Sequence, residues 1–315
     1  MVDEEFGESG RSAEAGGAPV FTPLGDLASL AGRIFEDIRE LSADVEGVSR
    51  PAFSETETAV LDYLKRTAEE NGLAAWFDEG QNLVMSLPED ADASKYVLIG
   101  SHVDSVPRGG NYDGLAGVVA GLLCVVKARH DRLRFNQPVR AIAMRGEESV
   151  WFGPCYLASK MLLGLLTESE LDAVHKGDGR TMAEHFEGLG IDLERIRSKV
   201  PLLQQGALYE YIELHIEQGP LLAEKKLPAA VVSGIRGNIR YRSIQCIGEA
   251  GHSGAVPRAF RRDPVMALAD LLSRLDESWL TILQKGDDLV LTSGIVTTDP
   301  ETHALTRIPD KITFS

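Results

Sequence analysis

The chain has 315 residues, enough for two domains rather than one small core. Its apolar fraction of 43% and charged fraction of 25% are those of ordinary soluble globular proteins, and no apolar run is long enough to span a bilayer. A formal net charge of −16 has the wrong sign for a nucleic-acid partner, whose phosphates require clustered Lys and Arg.

Residues 1–20 are rich in Glu, Gly, Ser and Ala and read as a disordered arm. No basic segment followed by an apolar stretch opens the chain, so a cytoplasmic location is expected. Leu27, Leu30, Ile34, Ile38 and Leu41 then recur at helical spacing. Ser54 and Glu57 fit an S-x-x-E capping box opening a second helix that ends near Asn71-Gly72. Short strands are expected around Trp76-Phe77, over 82–87 and over 96–99. A buried helix follows over 115–128, a strand over 139–144, a helix over 153–163 and a strand over 209–216. This alternation predicts an α/β sandwich with a mainly parallel sheet, over 21–232. After Ser233 the pattern changes. Strands over 240–247, 289–296 and 311–315, with a helix over 263–275, predict a small α+β domain over 233–315. Cys124, Cys155 and Cys246 are scattered and odd in number, which argues against a disulfide framework or a thiolate zinc site.

Four clusters carry chemistry. His102, Asp104 and Asp113, with Gly109-Gly110 between them, lie on the loop after an apolar strand, where sites form in open α/β sheets. His102 and Asp113 are ligand types for zinc or manganese, and Asp104 is placed to accept the other ring N–H of His102. Glu147 and Glu148 follow the next strand directly. Two adjacent carboxylates repel unless a cation relieves them, and one can then bind metal while the other serves as general base. His215, in the stretch HIEQGP, is expected at a third strand end. His252, in GHSGAVP, lies in the second domain among small residues and could face a substrate oxygen.

These four stretches, in this order, resemble the family of N-carbamoyl-L-amino-acid hydrolases, allantoate amidohydrolases and β-ureidopropionases, relatives of the dinuclear zinc aminopeptidases. The resemblance covers most of residues 22–315. It implies a zinc-aminopeptidase-like catalytic domain carrying an inserted ferredoxin-like lid and dimerisation domain. It implies two divalent ions, of zinc, manganese, cobalt or nickel. His102 and His215 would hold one, Asp113 would bridge, and Glu148 would hold the other. Glu147 would be the general base toward a metal-bridging water, Gln218 would contact the substrate, and His252 would reach a partner subunit's site in a homodimer. The substrate would be a small ureido or N-carbamoyl acid. The family also implies a cis or strained peptide at Asp113-Gly114. Two departures stand out. Thr306 occupies the place of an expected Asn ahead of Ile308-Pro309, and the family's later substrate Arg and last His ligand have no counterpart up to Ser315, His303 being a poor substitute. The small domain is therefore expected to be incomplete at its C-terminus, the second ion weakly held and turnover by this chain low. The alternatives are allantoate or peptide hydrolysis at the same centre, or an inactive remnant that acts through dimerisation.

Overall fold

In a computed structural model, residues 26–235, 239–241 and 243–315 are described. The arm expected over 1–20 lies outside them. The chain divides into two compact units, one ending at Lys225 and the other beginning at Lys226.

The first unit opens with helix α1 (Leu27–Leu41), which buries Leu30, Ile34 and Ile38 and is capped by Asp26. Helix α2 (Glu55–Glu70) starts at Ser54, whose hydroxyl accepts from the Glu57 N–H at 3.2 Å. Only this half of the expected capping box forms. The Glu57 carboxylate turns inward instead, accepting from the Phe53 N–H at 2.7 Å and from Arg145 and the Gly146 N–H. A buried cation outcompetes the backbone group of the cap.

Strands β1 (Ala74–Phe77), β2 (Leu83–Ser86), β3 (Tyr96–His102), β4 (Val139–Met144) and β5 (Leu208–Ile212) form one sheet in the order β1-β2-β4-β3-β5. The expected mainly parallel sheet is mixed: β2 runs antiparallel to both its neighbours, β1 and β4, while β3 is parallel to both β4 and β5. Helix α3 (Leu115–Asp131) connects β3 to β4 as a crossover and is apolar over most of its surface. It packs with α1 and α2 on one face of the sheet, around Ile34, Leu61, Leu83, Val118, Leu122 and Ala141. The expected helix over 153–163 begins only at Leu157 (α4, Leu157–Leu163), after a turn in which Tyr156 has positive φ. Short helices α5 (Glu168–Leu171), α6 (Met182–Gly188) and α7 (Leu193–Arg197) build a satellite cluster around Phe53, Trp151, Phe152 and Phe186. Strand β5 stops at Ile212, four residues short of the expected end, and helix α8 (Leu221–Glu224) closes the unit.

In the second unit, strands β6 (Ile244–Ile247), β8 (Val296–Thr298) and β10 (Lys311–Phe314) make an antiparallel sheet in the order β6-β10-β8. Helix α9 (Pro264–Gln284), N-capped by Asp263, packs Leu268 on Ile312 and Phe314. Strands β7 (Gly251–His252) and β9 (Arg307–Ile308) form a separate two-stranded ladder. The expected strand over 289–296 is irregular up to its last residue, and that over 240–247 starts at Ile244.

Candidate active site

The register of the sheet builds the site. His102 ends β3 directly opposite Met144, the end of β4, and the Val103 N–H donates to the Met144 carbonyl at 2.9 Å. The loops that follow the two strands therefore leave side by side at the carboxyl edge, where open α/β sheets place their sites. Asp104, fully buried, joins them. Its two oxygens accept the backbone N–H groups of Glu147 and Glu148, each at 2.9 Å, and Oδ1 also faces His102 Nδ1 at 3.2 Å. One carboxylate thus fixes the His102 ring and both glutamates, leaving His102 Nε2 directed toward Glu147 Oε2 at 3.9 Å.

A second group assembles from the α3 entry and the segment after β5. His215 Nε2 lies 3.7 Å from Asp113 Oδ1, and the Gln218 side-chain amide donates to Asp113 Oδ2. His215 is three residues beyond the end of β5, exposed, with its Nδ1 at 2.6 Å from the Ile216 carbonyl oxygen. Gln218 itself has positive φ. Glu148 senses both groups. Burial raises its pKa, the charges of His102 and His215 oppose the rise, and those of Asp104 and Asp113 add to it. Burial likewise pushes Glu147 up to about 7, against the charge of His102 and with those of Glu148, Asp104 and Asp113. For His102, burial opposes protonation, but the Asp104 hydrogen bond and the carboxylates of Asp104, Glu147 and Glu148 outweigh it and lift the ring to about 9.

Asp113 Oδ1 is buried and has no hydrogen-bond partner. A bare carboxylate oxygen beside an imidazole nitrogen is costly in the protein alone and fits a divalent cation, which takes both ligand types.

No cis peptide occurs among the described residues, so the expected cis bond at Asp113-Gly114 is absent. The chain reverses there by a γ-turn: Gly114 has φ 65° and ψ −52°, and the Leu115 N–H donates to the Asp113 carbonyl at 2.6 Å. A Cβ at Gly114 would lie 2.5 Å from His102 Nδ1 and Cε1. Gly114→Ala should cost at least about 1–3 kcal/mol from backbone strain alone and displace the His102 ring. A urea unfolding midpoint equal to that of the parent chain would refute this.

Two buried arginines support the site and were missed in the sequence, where Arg reads as a surface residue. Arg50 donates from Nε to the Val103 carbonyl at 2.5 Å and from Nη1 to Asn111 Oδ1 at 3.0 Å, tying down both ends of the 103–111 segment. Arg145 donates to Glu57, to Thr58 Oγ1 and to the Gln81 carbonyl. Trp151 Nε1 donates to the Ser105 carbonyl at 2.7 Å.

His252 lies in the second unit on β7, exposed, its Nδ1 accepting from the Gly254 N–H at 3.1 Å. It pairs with Arg307 across the β7-β9 ladder, and the Ser253 N–H donates to the Thr306 carbonyl at 2.9 Å. The two positions singled out in this unit are thus neighbours. His303 sits apart from that ladder, its Nδ1 3.3 Å from Thr298 Oγ1.

The sequence pattern of peptidase family M28 matches residues 82–183, a segment that runs from β2 through the loops that follow β3 and β4. The chain is 32% identical over 231 residues to the N-carbamoyl-L-amino acid amidohydrolase of Geobacillus stearothermophilus, covering 73% of this chain and 56% of that protein. It is 30% identical over 269 residues to the allantoate amidohydrolase of Escherichia coli, covering 85% of this chain and 63% of that protein. The chain therefore spans a little over half the length of these curated relatives. The crystal structure of a hydantoinase/carbamoylase family amidase from Burkholderia ambifaria superposes with a TM-score of 0.72 at 25% identity, over 92% of this chain and 68% of that one. On its motifs, its mixed α/β sheet and these likenesses, the chain belongs to the peptidase M28 / hydantoinase-carbamoylase amidase family.

Proposed function

We propose that this chain carries the metal centre of an amidohydrolase that cleaves the linear amide C–N bond of N-carbamoyl (ureido) derivatives of small acids. The observation that carries the reading is the partnerless, buried Asp113 Oδ1 beside His215, with Glu147 and His102 on the adjoining loop ends. His102, Asp113 and His215 would hold one divalent ion, and Asp113 and Glu148 a second, of the zinc, manganese, cobalt or nickel kind. Ions so held supply Lewis acidity, polarising the ureido carbonyl and acidifying water.

The remaining tasks belong to side chains. Glu147 takes the proton from the attacking water at its carboxylate and passes it to the leaving nitrogen. A carboxyl lifted to about 7, chiefly by burial, is matched to both transfers near neutral pH. Asp104 holds the His102 ring in one orientation with Nε2 turned to the site. Gln218 reaches the substrate from its place on Asp113. His252, supplied by the partner in a homodimer, steadies the developing oxyanion. The likeness to the allantoate amidohydrolase, over 85% of this chain, favours allantoate as the second substrate to try.

The test begins with the chain stripped by a chelator and reloaded. Bound zinc or manganese should fall on Asp113→Asn and on His215→Ala, with metal-dependent ammonia release from N-carbamoyl amino acids tracking the bound ion. Metal content indifferent to both substitutions would overturn the reading. Turnover of allantoate alone would reassign the substrate.

A further inference from the structure

A second cluster of ligating side chains lies in the first unit, outside the site described above. His175, Asp178 and His185 each offer one atom, and the three atoms lie within 4.8 Å of one another, the one such group of three among the described residues. His175 Nδ1 and His185 Nε2 each stand 3.2 Å from the same oxygen, Asp178 Oδ1. Both rings are buried and Asp178 is exposed.

The cluster is built rather than accidental. The 174–181 turn is stapled by a Val174–Thr181 bridge, by the His175 N–H donating to the Arg180 carbonyl at 2.8 Å and by the Gly179 N–H donating to the His175 carbonyl at 2.9 Å. Thr181 then caps α6 with a full capping box, which sets His185 on the last turn of that helix. Trp151 stacks on the His175 ring with centroids 5.5 Å apart, and Phe152 lies against both rings.

The hydrogen bonds around the cluster constrain which ring atoms carry protons. His185 Nδ1 lies 3.3 Å from the Phe53 carbonyl, which can only accept, so Nδ1 holds a proton; Nε2 faces Asp178 Oδ1, donating to it when the ring is charged and free to ligate once that second proton leaves. His175 Nδ1 accepts from the Gly177 N–H at 3.2 Å, so that nitrogen is unprotonated, and it stands beside the same oxygen. The three atoms therefore call for a cation between them, either a proton on His185 Nε2 or a metal ion that takes both imidazole nitrogens and the carboxylate oxygen.

We propose that His175, Asp178 and His185 form a further transition-metal site, of zinc type, independent of the amidase reading. Zinc bonds of about 2.0–2.1 Å in tetrahedral geometry put ligand atoms about 3.3 Å apart, close to the two 3.2 Å edges. The long Gly177 bond is exchanged for the metal, and solvent at the exposed side of Asp178 supplies the remaining ligand. The Phe53 carbonyl is the outer partner that orients His185. His175 Nε2 has no such partner, so the site is weaker than a closed four-ligand zinc site.

The full chain is titrated with zinc by calorimetry, and with nickel or copper while tryptophan emission is followed, since Trp151 stacks on a proposed ligand. Zinc should bind with a Kd on the order of micromolar or tighter. Asp178→Asn and His185→Gln should each weaken one equivalent by about tenfold to a hundredfold or more, the range already seen for outer-shell partners. Both should also remove the quenching, whereas His215→Ala should leave it. Near-UV circular dichroism reports whether each variant is folded; Asp178 is exposed enough to be replaced without disturbing the core. Quenching and stoichiometry unchanged in Asp178→Asn, or no zinc bound beyond that lost in His215→Ala, would overturn the proposal.

Discussion

Glu57→Gln should be the most damaging single substitution for stability, costing about 3–5 kcal/mol, because it leaves the Arg145 guanidinium buried without its counter-charge. Both side chains are inaccessible to solvent, and Arg145 Nη1 donates to Glu57 Oε2 at 2.9 Å. The carboxylate also takes the backbone N–H groups of Phe53 and Gly146, at 2.7 and 3.0 Å. Burial pushes the Glu57 carboxyl up to about 7, against the charge of Arg145, so the experiment belongs near about pH 8, where the group is ionised. For a unit of this size the loss corresponds to a fall in Tm of roughly 6–20 °C. The double variant Glu57→Gln/Arg145→Met should recover much of it, because removing both charges is far less harmful than orphaning one. A double variant no more stable than the single one would show that the carboxylate serves the two backbone N–H groups and not the arginine. The pair also reaches the chemistry. Arg145 and Gly146 immediately precede Glu147, and the Gly146 N–H is held by Glu57, so loosening the pair frees the segment that presents both glutamates.

The strand-end histidine and the glutamate pair were legible because sheet geometry is local. An apolar run that stops at a polar cluster marks a carboxyl edge; β4 ends at Met144 as expected, while β3 runs three residues past its expected end, to His102. Direction of pairing was not legible. Periodicity reports which face of a strand is buried, not which way its neighbour runs, so β2, antiparallel to both β1 and β4, was not foreseen in a mainly parallel sheet. β5 was overextended for a related reason. Tyr209, Tyr211 and Ile212 are apolar yet largely exposed on an edge strand, and the run continues past Ile212 without any ladder. The supporting arginines were hidden by composition. A charged residue reads as solvated unless its partner is known, and Glu57 is 88 positions from Arg145. His175, Asp178 and His185 were hidden by spacing. Intervals of three and seven residues across a turn and a helix match no linear ligand motif, and only the capped entry to α6 brings the second ring back over the turn.

Glu147→Gln should separate chemistry from metal binding. The substitution keeps the size of the side chain and the backbone N–H that Asp104 holds at 2.9 Å, so the loop geometry is preserved. What disappears is a proton acceptor raised to about 7 by burial and poised to act near neutrality. Loss of a positioned general base lowers turnover by about 10²–10⁴-fold, or roughly 3–5 kcal/mol of barrier. Metal content should stay at the parent level. Glu148→Gln should do the reverse first: with its own N–H still bound to Asp104, it loses the carboxylate that senses Asp113 and His215, and bound metal should drop before any kinetic comparison is made. The measurement is metal per chain by elemental analysis for the parent and both variants, followed by ammonia release from an N-carbamoyl amino acid at saturating metal. If Glu147→Gln sheds metal while Glu148→Gln retains it, the two roles are exchanged. The 3.9 Å approach of Glu147 to His102 Nε2 would then mark a shared ligand position rather than a route for the proton.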